Sequence, residues 1–292
     1  MTSFKQFRVQ PGEKFKLEDR DPADTAGFKD KKEAKQRLAE GIQKLRELQE
    51  RLYADDRHAL LLIFQAMDAA GKDSTIEHVM SGVNPQGCQV YSFKQPSSEE
   101  LDHDFLWRTN RCLPERGRIG VFNRSYYEEV LVVRVHPGIL AAQKLPTEVV
   151  DKDIWNRRFK DINAFERYLA HNGTVVVKFF LHVSKEEQRR RFLARLDEPQ
   201  KNWKFSLSDV REREHWDDYM AAYEDMLEHT STEHGPWYVI PADHKWFMRM
   251  AVADVIVSTL EKLKLEYPIV GEEKRRELEA ARKVLEQEEV KA

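Results

Sequence analysis

The sequence predicts an α/β fold, a parallel sheet covered by helices on both faces. Short apolar runs of strand length alternate with helical segments along most of the 292 residues, the pattern of a layered α/β domain. The run ALLLIF at 59–64 is continuously apolar, as a strand buried on both faces must be. Directly after it the Gly71-Lys72 pair closes a loop and opens a helix, the arrangement by which such sheets present a ligand site at the carboxyl ends of their strands.

Residues 1–28 hold Pro11, Gly12, Pro22 and Gly27 and read as an irregular arm. From Lys29 to about Ala54, Leu38, Ile42, Leu45, Leu48 and Leu52 recur at three- and four-residue steps, one apolar stripe on a long helix. After the first strand and its loop, STIEHVMSGV continues as a helix, and CQVYSF (88–93) is the next strand. SSEELDHDFLWRTNRCL reads as one helix with Ser97 or Ser98 as N-cap. RIGVFN (118–123) is a strand, SYYEEVLVVRV begins a helix, and residues 151–171 form an amphipathic one. TVVVKFFLHV (174–183) is the strongest strand, and Ser184 to Glu187 open the next helix as a capping box. PWYVI (236–240) precedes a helix from Asp243 onward, and the stretch from Gly271 to the end is a charged helix outside the core.

The bulk properties narrow the function classes. A net charge of −3 argues against a general nucleic-acid binder, although the 48 basic residues can still cluster around a polyanion. No apolar run has the length to span a bilayer, and the first residues contain no apolar signal core. Cys88 and Cys112 have no metal-type spacing and indicate no disulfide scaffold. A cytoplasmic enzyme without nucleic-acid or membrane partners is the expectation.

The chemistry concentrates in QAMDAAGKDST (65–75). The phosphate-loop signature is G-x-x-x-x-G-K-[ST]. Gly71 and Lys72 fit it, Ala66 replaces the first glycine, and Asp73 stands where a hydroxyl belongs. Ala69, Ala70 and Gly71 supply backbone, Lys72 a point charge, and the helix start favours an anion. Ser74 and Thr75 can cap the helix or contact a phosphate or its metal. Asp68 would repel phosphate unless a cation lies between, so it reads as a Mg²⁺ ligand. Asp73 reads either as a second ligand or as a first-turn acid favoured by the helix dipole.

Taken together, DAAGKDSTI, GCQVYSFKQPSSEELDHDFLWR, GVFNRSYYEEVLVVRV, INAFERYLAHNGTVVVKFFLHVSKEEQRRRFLARLDEPQKNWKFS and DDYMAAYEDML resemble the polyphosphate kinase 2 family, in order, over about residues 30 to 265. The resemblance implies a three-layer α/β/α P-loop kinase-like fold spanning 29–265, with a helical lid at about 195–215 between the arm and the charged C-terminal helix (266–292). It implies Mg²⁺-dependent, reversible phosphoryl transfer between inorganic polyphosphate and AMP, ADP or ATP, a homo-oligomer that is often a tetramer, and an FNRS-containing branch acting on both mono- and diphosphates. Asp68 matches the family's metal ligand, and Lys72 and Arg124 its phosphate contacts. Many relatives read Asp-Arg-Ser where this chain has Asn123-Arg124-Ser125, so Glu128 or Glu129 is expected to supply the missing carboxylate, with Glu129 favoured.

The remaining expectations concern cations, because phosphoryl transfer depends on positioning and charge neutralisation. Lys94 and Arg108 are expected along a channel, and Arg191, Arg195, Lys204 and Arg211 in a lid that closes over phosphates. The rival functions are an ATP-dependent small-molecule kinase and a non-catalytic protein that binds nucleotide or polyphosphate.

Overall fold

Apolar strands long enough to cross a domain core must be covered on both faces, and this chain covers them with helices. The computed structural model describes residues 4–289, without the side chains at 201, 203, 204, 288 and 289. Its strands β1 (Ala59–Gln65), β2 (Cys88–Ser92), β3 (Ile119–Asn123), β4 (Thr174–His182) and β5 (Trp237–Pro241) form one parallel sheet in the order β2-β3-β1-β4-β5. β1 lies at the centre with all seven residues buried, which accounts for its unbroken apolar sequence. Its register sets Phe64 beside Asn123 on one side and Phe179 on the other.

The helices are α1 (Lys31–Asp55), α2 (Lys72–Val79), α3 (Ser98–Leu101), α4 (Trp107–Asn110), α5 (Val132–Val135), α6 (Pro137–Ala142), α7 (Ile154–His171), α8 (Lys185–Asp197), α9 (Leu207–Glu212), α10 (Trp216–Thr230), α11 (Lys245–Lys262) and α12 (Glu272–Glu289). The stripe on α1 buries Leu45, Leu48 and Leu52, and α1 and α2 both pack on α11, whose interior is almost wholly buried. α7 packs on β4 and against α10. α12 is exposed along its described side chains. Among the described residues no helix is long and apolar enough to cross a membrane.

Three expectations change. The helix expected over 97–113 is two four-residue pieces, because Asp104 caps Leu106 N through its side chain and starts a new turn. Ser97 is the N-cap, in a reciprocal capping box with Glu100. The segment after Ser125 runs as a 3₁₀ turn (Tyr126–Val130) before α5. At α8 only half of the expected box forms: Ser184 Oγ accepts from Glu187 N, while the Glu187 carboxylate is taken by Arg190 and Arg191.

The arm is irregular, yet its apolar residues belong to the core. Phe4, Phe7, Val9, Phe15 and Leu17 are buried, and the Phe4 and Phe7 rings meet Phe247 of α11 edge-on. Val9 N donates to Trp237 O at 2.9 Å, and Arg8 bridges Tyr238 in antiparallel fashion, closing the outer edge of β5.

Candidate active site at the phosphate loop

The carboxyl ends of β1 and β3 bring two backbone segments together. Arg124 N donates to Phe64 O at 3.0 Å, tying the exit of β3 to the last turn of β1. Arg124 has φ 63° and Ala69 φ 61°, left-handed values that disfavour a side chain, and Gly71 stands at φ 108°, where glycine is needed. Strained backbone of this kind persists where the surroundings over-determine it.

Beneath Arg124 the surroundings are an ionic network. Lys178 of β4 and Glu166 of α7 are fully buried and 2.5 Å apart. Lys178 also donates to Tyr127 Oη (2.8 Å) and Thr230 O (2.7 Å), and Glu166 accepts from Tyr126 Oη (2.9 Å) and Tyr127 Oη (2.7 Å). Burial pushes the Lys178 amine below its ordinary pKa, with Glu166 opposing that shift. Both tyrosines follow Ser125 directly, so the network fixes the backbone that carries Arg124.

Above it, Lys72 Nζ folds back to donate to Ala66 O at 2.7 Å. Burial and the nearby Arg124 guanidinium lower its pKa, against Asp68, Glu128 and Asp73. Arg124 donates to Asp68 at 3.0 Å and lies 4.0 Å from Glu128, and the Glu128 charge raises its pKa. Asp68, Lys72, Arg124 and Glu128 therefore form one alternating group of charges.

The structure answers the Asp73 alternative with a third arrangement: its carboxylate accepts from Asn123 Nδ2 at 2.5 Å. An amide can donate there where a carboxylate would repel, so Asn123 ties the first turn of α2 to β3. Ser74 and Thr75 both donate to Gly71 O, at 3.1 and 2.9 Å, and Thr75 is fully buried. Their hydroxyls brace the loop from within the helix.

The favoured carboxylate, Glu129, lines the cavity beside Arg124 but is held by other partners. Glu129 is buried, accepts from Gln143 and pairs with Arg158 at 3.1 Å, and burial raises its pKa. Glu128, one residue earlier on the 3₁₀ turn, faces Arg124. Arg191 also departs from its expected place in the lid. It is 7 % exposed, and all five of its N–H donors are taken by Glu187 and by the carbonyls of Ala69, Ala70, Ala242 and Asp243.

Arg195 rests over the Phe192 ring and Arg211 is exposed on α9, neither close to the loop by any direct bond, while the Lys204 side chain lies outside the described residues. Lys94 is exposed, and Arg108 donates to its carbonyl at 2.7 Å.

Two cavities meet at Arg124 and Glu128. One, about 360 Å³, is lined by Lys94, Arg108 and Arg158 beside apolar walls that include Phe105 and Ile139. The other, about 700 Å³, lies against Asp68 and is lined by Asp209 and Glu212 of α9 and by Tyr219 and Tyr223 of α10. Burial and the Asp68 charge raise the Asp209 pKa. Asp209, Glu212 and Arg158 carry no motif, and Tyr219 and Tyr223 stand in DDYMAAYEDML without having been singled out; only the fold brings these five here.

A parallel sheet with a glycine-lysine loop at the end of its central strand, a facing arginine and a helical cover defines a P-loop kinase-like protein. The polyphosphate kinase 2 family profile matches residues 28–268. The chain belongs to the polyphosphate kinase 2 family. It is 57 % identical over 275 residues to an ADP-polyphosphate phosphotransferase of Rhodopseudomonas palustris, covering 94 % of this chain and 95 % of that one. An AMP/ADP-polyphosphate phosphotransferase of Meiothermus ruber is 46 % identical over 265 residues, covering 90 % and 95 %. The crystal structure of polyphosphate kinase 2 from Arthrobacter aurescens TC1 superposes with a TM-score of 0.87 at 42 % identity, over 96 % of this chain and 97 % of that one.

Proposed function

We propose that this protein transfers a phosphoryl group reversibly between inorganic polyphosphate and AMP or ADP, forming ADP or ATP by direct in-line attack. The observation that carries the reading is the position of Arg124, reached from both cavities and facing the phosphate loop across Asp68. A phosphate on either side of it meets the same guanidinium, so donor and acceptor can share one cation during transfer. Lys72 leaves the Ala66 carbonyl for a phosphate oxygen, and α9 and α10 exclude water from the larger cavity. Polyphosphate passes Lys94 and Arg108. The acceptor's own phosphate oxygen attacks, and no side chain forms a covalent intermediate.

Mg²⁺ fits the donor set, because Asp68 and Glu128 offer carboxylate oxygens on either side of Arg124. Those two residues would hold it, with phosphate and water completing its shell. When bound it supplies neutralisation of phosphate charge. The relatives' names differ between ADP alone and AMP with ADP, so both acceptors belong in the test. A cytoplasmic homo-oligomer, a tetramer by the family resemblance, completes the reading.

Purified protein with polyphosphate, Mg²⁺ and ADP is expected to form ATP, and with AMP to form ADP. Asp68→Asn should lose most turnover while keeping its melting temperature. A folded wild type that makes neither product, or an Asp68→Asn variant of near-normal rate, would refute the proposal.

A further inference from the structure

Helix α8 reaches behind the phosphate loop with two side chains one turn apart. Gln188 Nε2 donates to Asp68 O at 2.9 Å. Arg191 Nη1 donates to Ala69 O at 3.1 Å and to Ala70 O at 2.6 Å. Three consecutive loop carbonyls are thus drawn toward α8. A trans peptide points its N–H opposite to its C=O, so these bonds turn the amides of Ala69, Ala70 and Gly71 away from α8. The Ala70 amide bonds the Met67 carbonyl at 3.2 Å, which leaves those of Ala69 and Gly71 as the pair aimed outward.

Gln188 is 1 % exposed and has a second partner. Arg213, at the far end of the lid, donates to Gln188 Oε1 at 2.5 Å and to Lys185 O at 3.1 Å. A single amide therefore holds the loop with its nitrogen and the distal root of the lid with its oxygen. α8 leads into the lid and Arg213 stands at its far end, so both roots of the lid converge on the side chain that holds Asp68.

We propose that Gln188 and Arg191 are positioning residues that present the Ala69 and Gly71 amides to a bound phosphate chain, and that Arg213 couples this hold to the lid through Gln188. The proposal rests on the phosphate-binding reading of the loop. It gives Arg191 a fixed role behind the loop and gives Gln188, which bears no charge, a part in polyphosphate recognition.

The test uses the full chain with tripolyphosphate as probe, by titration calorimetry, for wild type, Gln188→Met, Arg213→Ala and the double variant. Gln188→Met keeps volume and removes both bonds; it is expected to weaken tripolyphosphate binding about tenfold, the scale of one hydrogen bond with a buried carbonyl left unpaired. Arg213→Ala is expected to weaken binding in the wild-type background and to have no further effect in the Gln188→Met background, the non-additivity of a shared element. In turnover with polyphosphate and ADP, the KM for polyphosphate should rise while the KM for ADP holds, a selective change that a smaller active fraction does not produce.

Unchanged tripolyphosphate binding in a folded Gln188→Met protein would overturn the positioning role, and additive effects would overturn the coupling to the lid. If Gln188→Met does not fold, Arg213→Ala decides alone, since its side chain is half-exposed: unchanged binding in that variant overturns the proposal. Wild-type protein that binds no tripolyphosphate would overturn the phosphate reading itself, and this proposal with it.

Discussion

Replacing Lys178 by Met places the buried network under a defined load. The substitution removes the cation 2.5 Å from Glu166 and leaves a carboxylate with no exposed surface and no counter-charge. Removing one partner of a buried pair costs about 3–5 kcal/mol. The Thr230 carbonyl, which Lys178 bonds at 2.7 Å, loses its donor and adds about 1 kcal/mol. Adding Glu166→Gln removes the stranded charge while an amide oxygen still accepts from Tyr126 and Tyr127, so the double variant should recover about 3 kcal/mol. Urea unfolding at constant slope gives both differences from the midpoints. A single variant less than about 1 kcal/mol below wild type, or a double variant no more stable than the single one, would show that the charge pair is not what holds this segment.

Two further predictions concern stability. Burial, opposed by Asp243, pushes the His182 pKa down to about 4 from its ordinary 6.5. The folded state therefore keeps His182 neutral where the unfolded chain takes up a proton, so its contribution is complete above pH 6.5 and is lost as pH falls toward 4. Wild type should lose up to about 3 kcal/mol more than His182→Gln across that window, and parallel pH profiles would contradict the assignment. Truncation that removes Phe4, Phe7, Val9, Phe15 and Leu17 deletes five buried side chains worth on the order of 10 kcal/mol together, enough to abolish folding. A soluble truncated protein with a wild-type melting curve would refute that estimate.

Much of this fold was legible because its strands sit between two helical layers. ALLLIF has no alternation because both of its faces are buried, and that same burial makes it a strand of the central sheet. The loop was legible too, since Gly71 and Lys72 keep their spacing from the end of β1. The errors came where neighbouring residues of one type part company. Arg189 and Arg190 lie in solvent on pairs with Glu186 and Glu187, whereas Arg191 is buried behind the loop. Helical spacing held a signal for this, because Gln188, Arg191 and Phe192 share one face and all are buried. Glu128 and Glu129 are indistinguishable in composition, and the choice between them depends on Arg158, a partner some thirty residues away. Asp73 looked like an excess charge until Asn123 was placed beside it, fifty residues on.

The closure of β5 by the arm has a consequence in time. Arg8 pairs with Glu233, 225 residues ahead of it, and Val9 O waits for Ser231, 222 residues ahead. During synthesis the arm cannot reach these partners until the chain has been made past residue 233. Contacts of such separation bear their loop-closure entropy before they return any stability. The arm is thus made well before its partners and seated only after them. Until then Phe247 and the outer edge of β5 stay open to water and to other chains, so the final docking of some twenty residues sets how long the newly made protein remains prone to self-association.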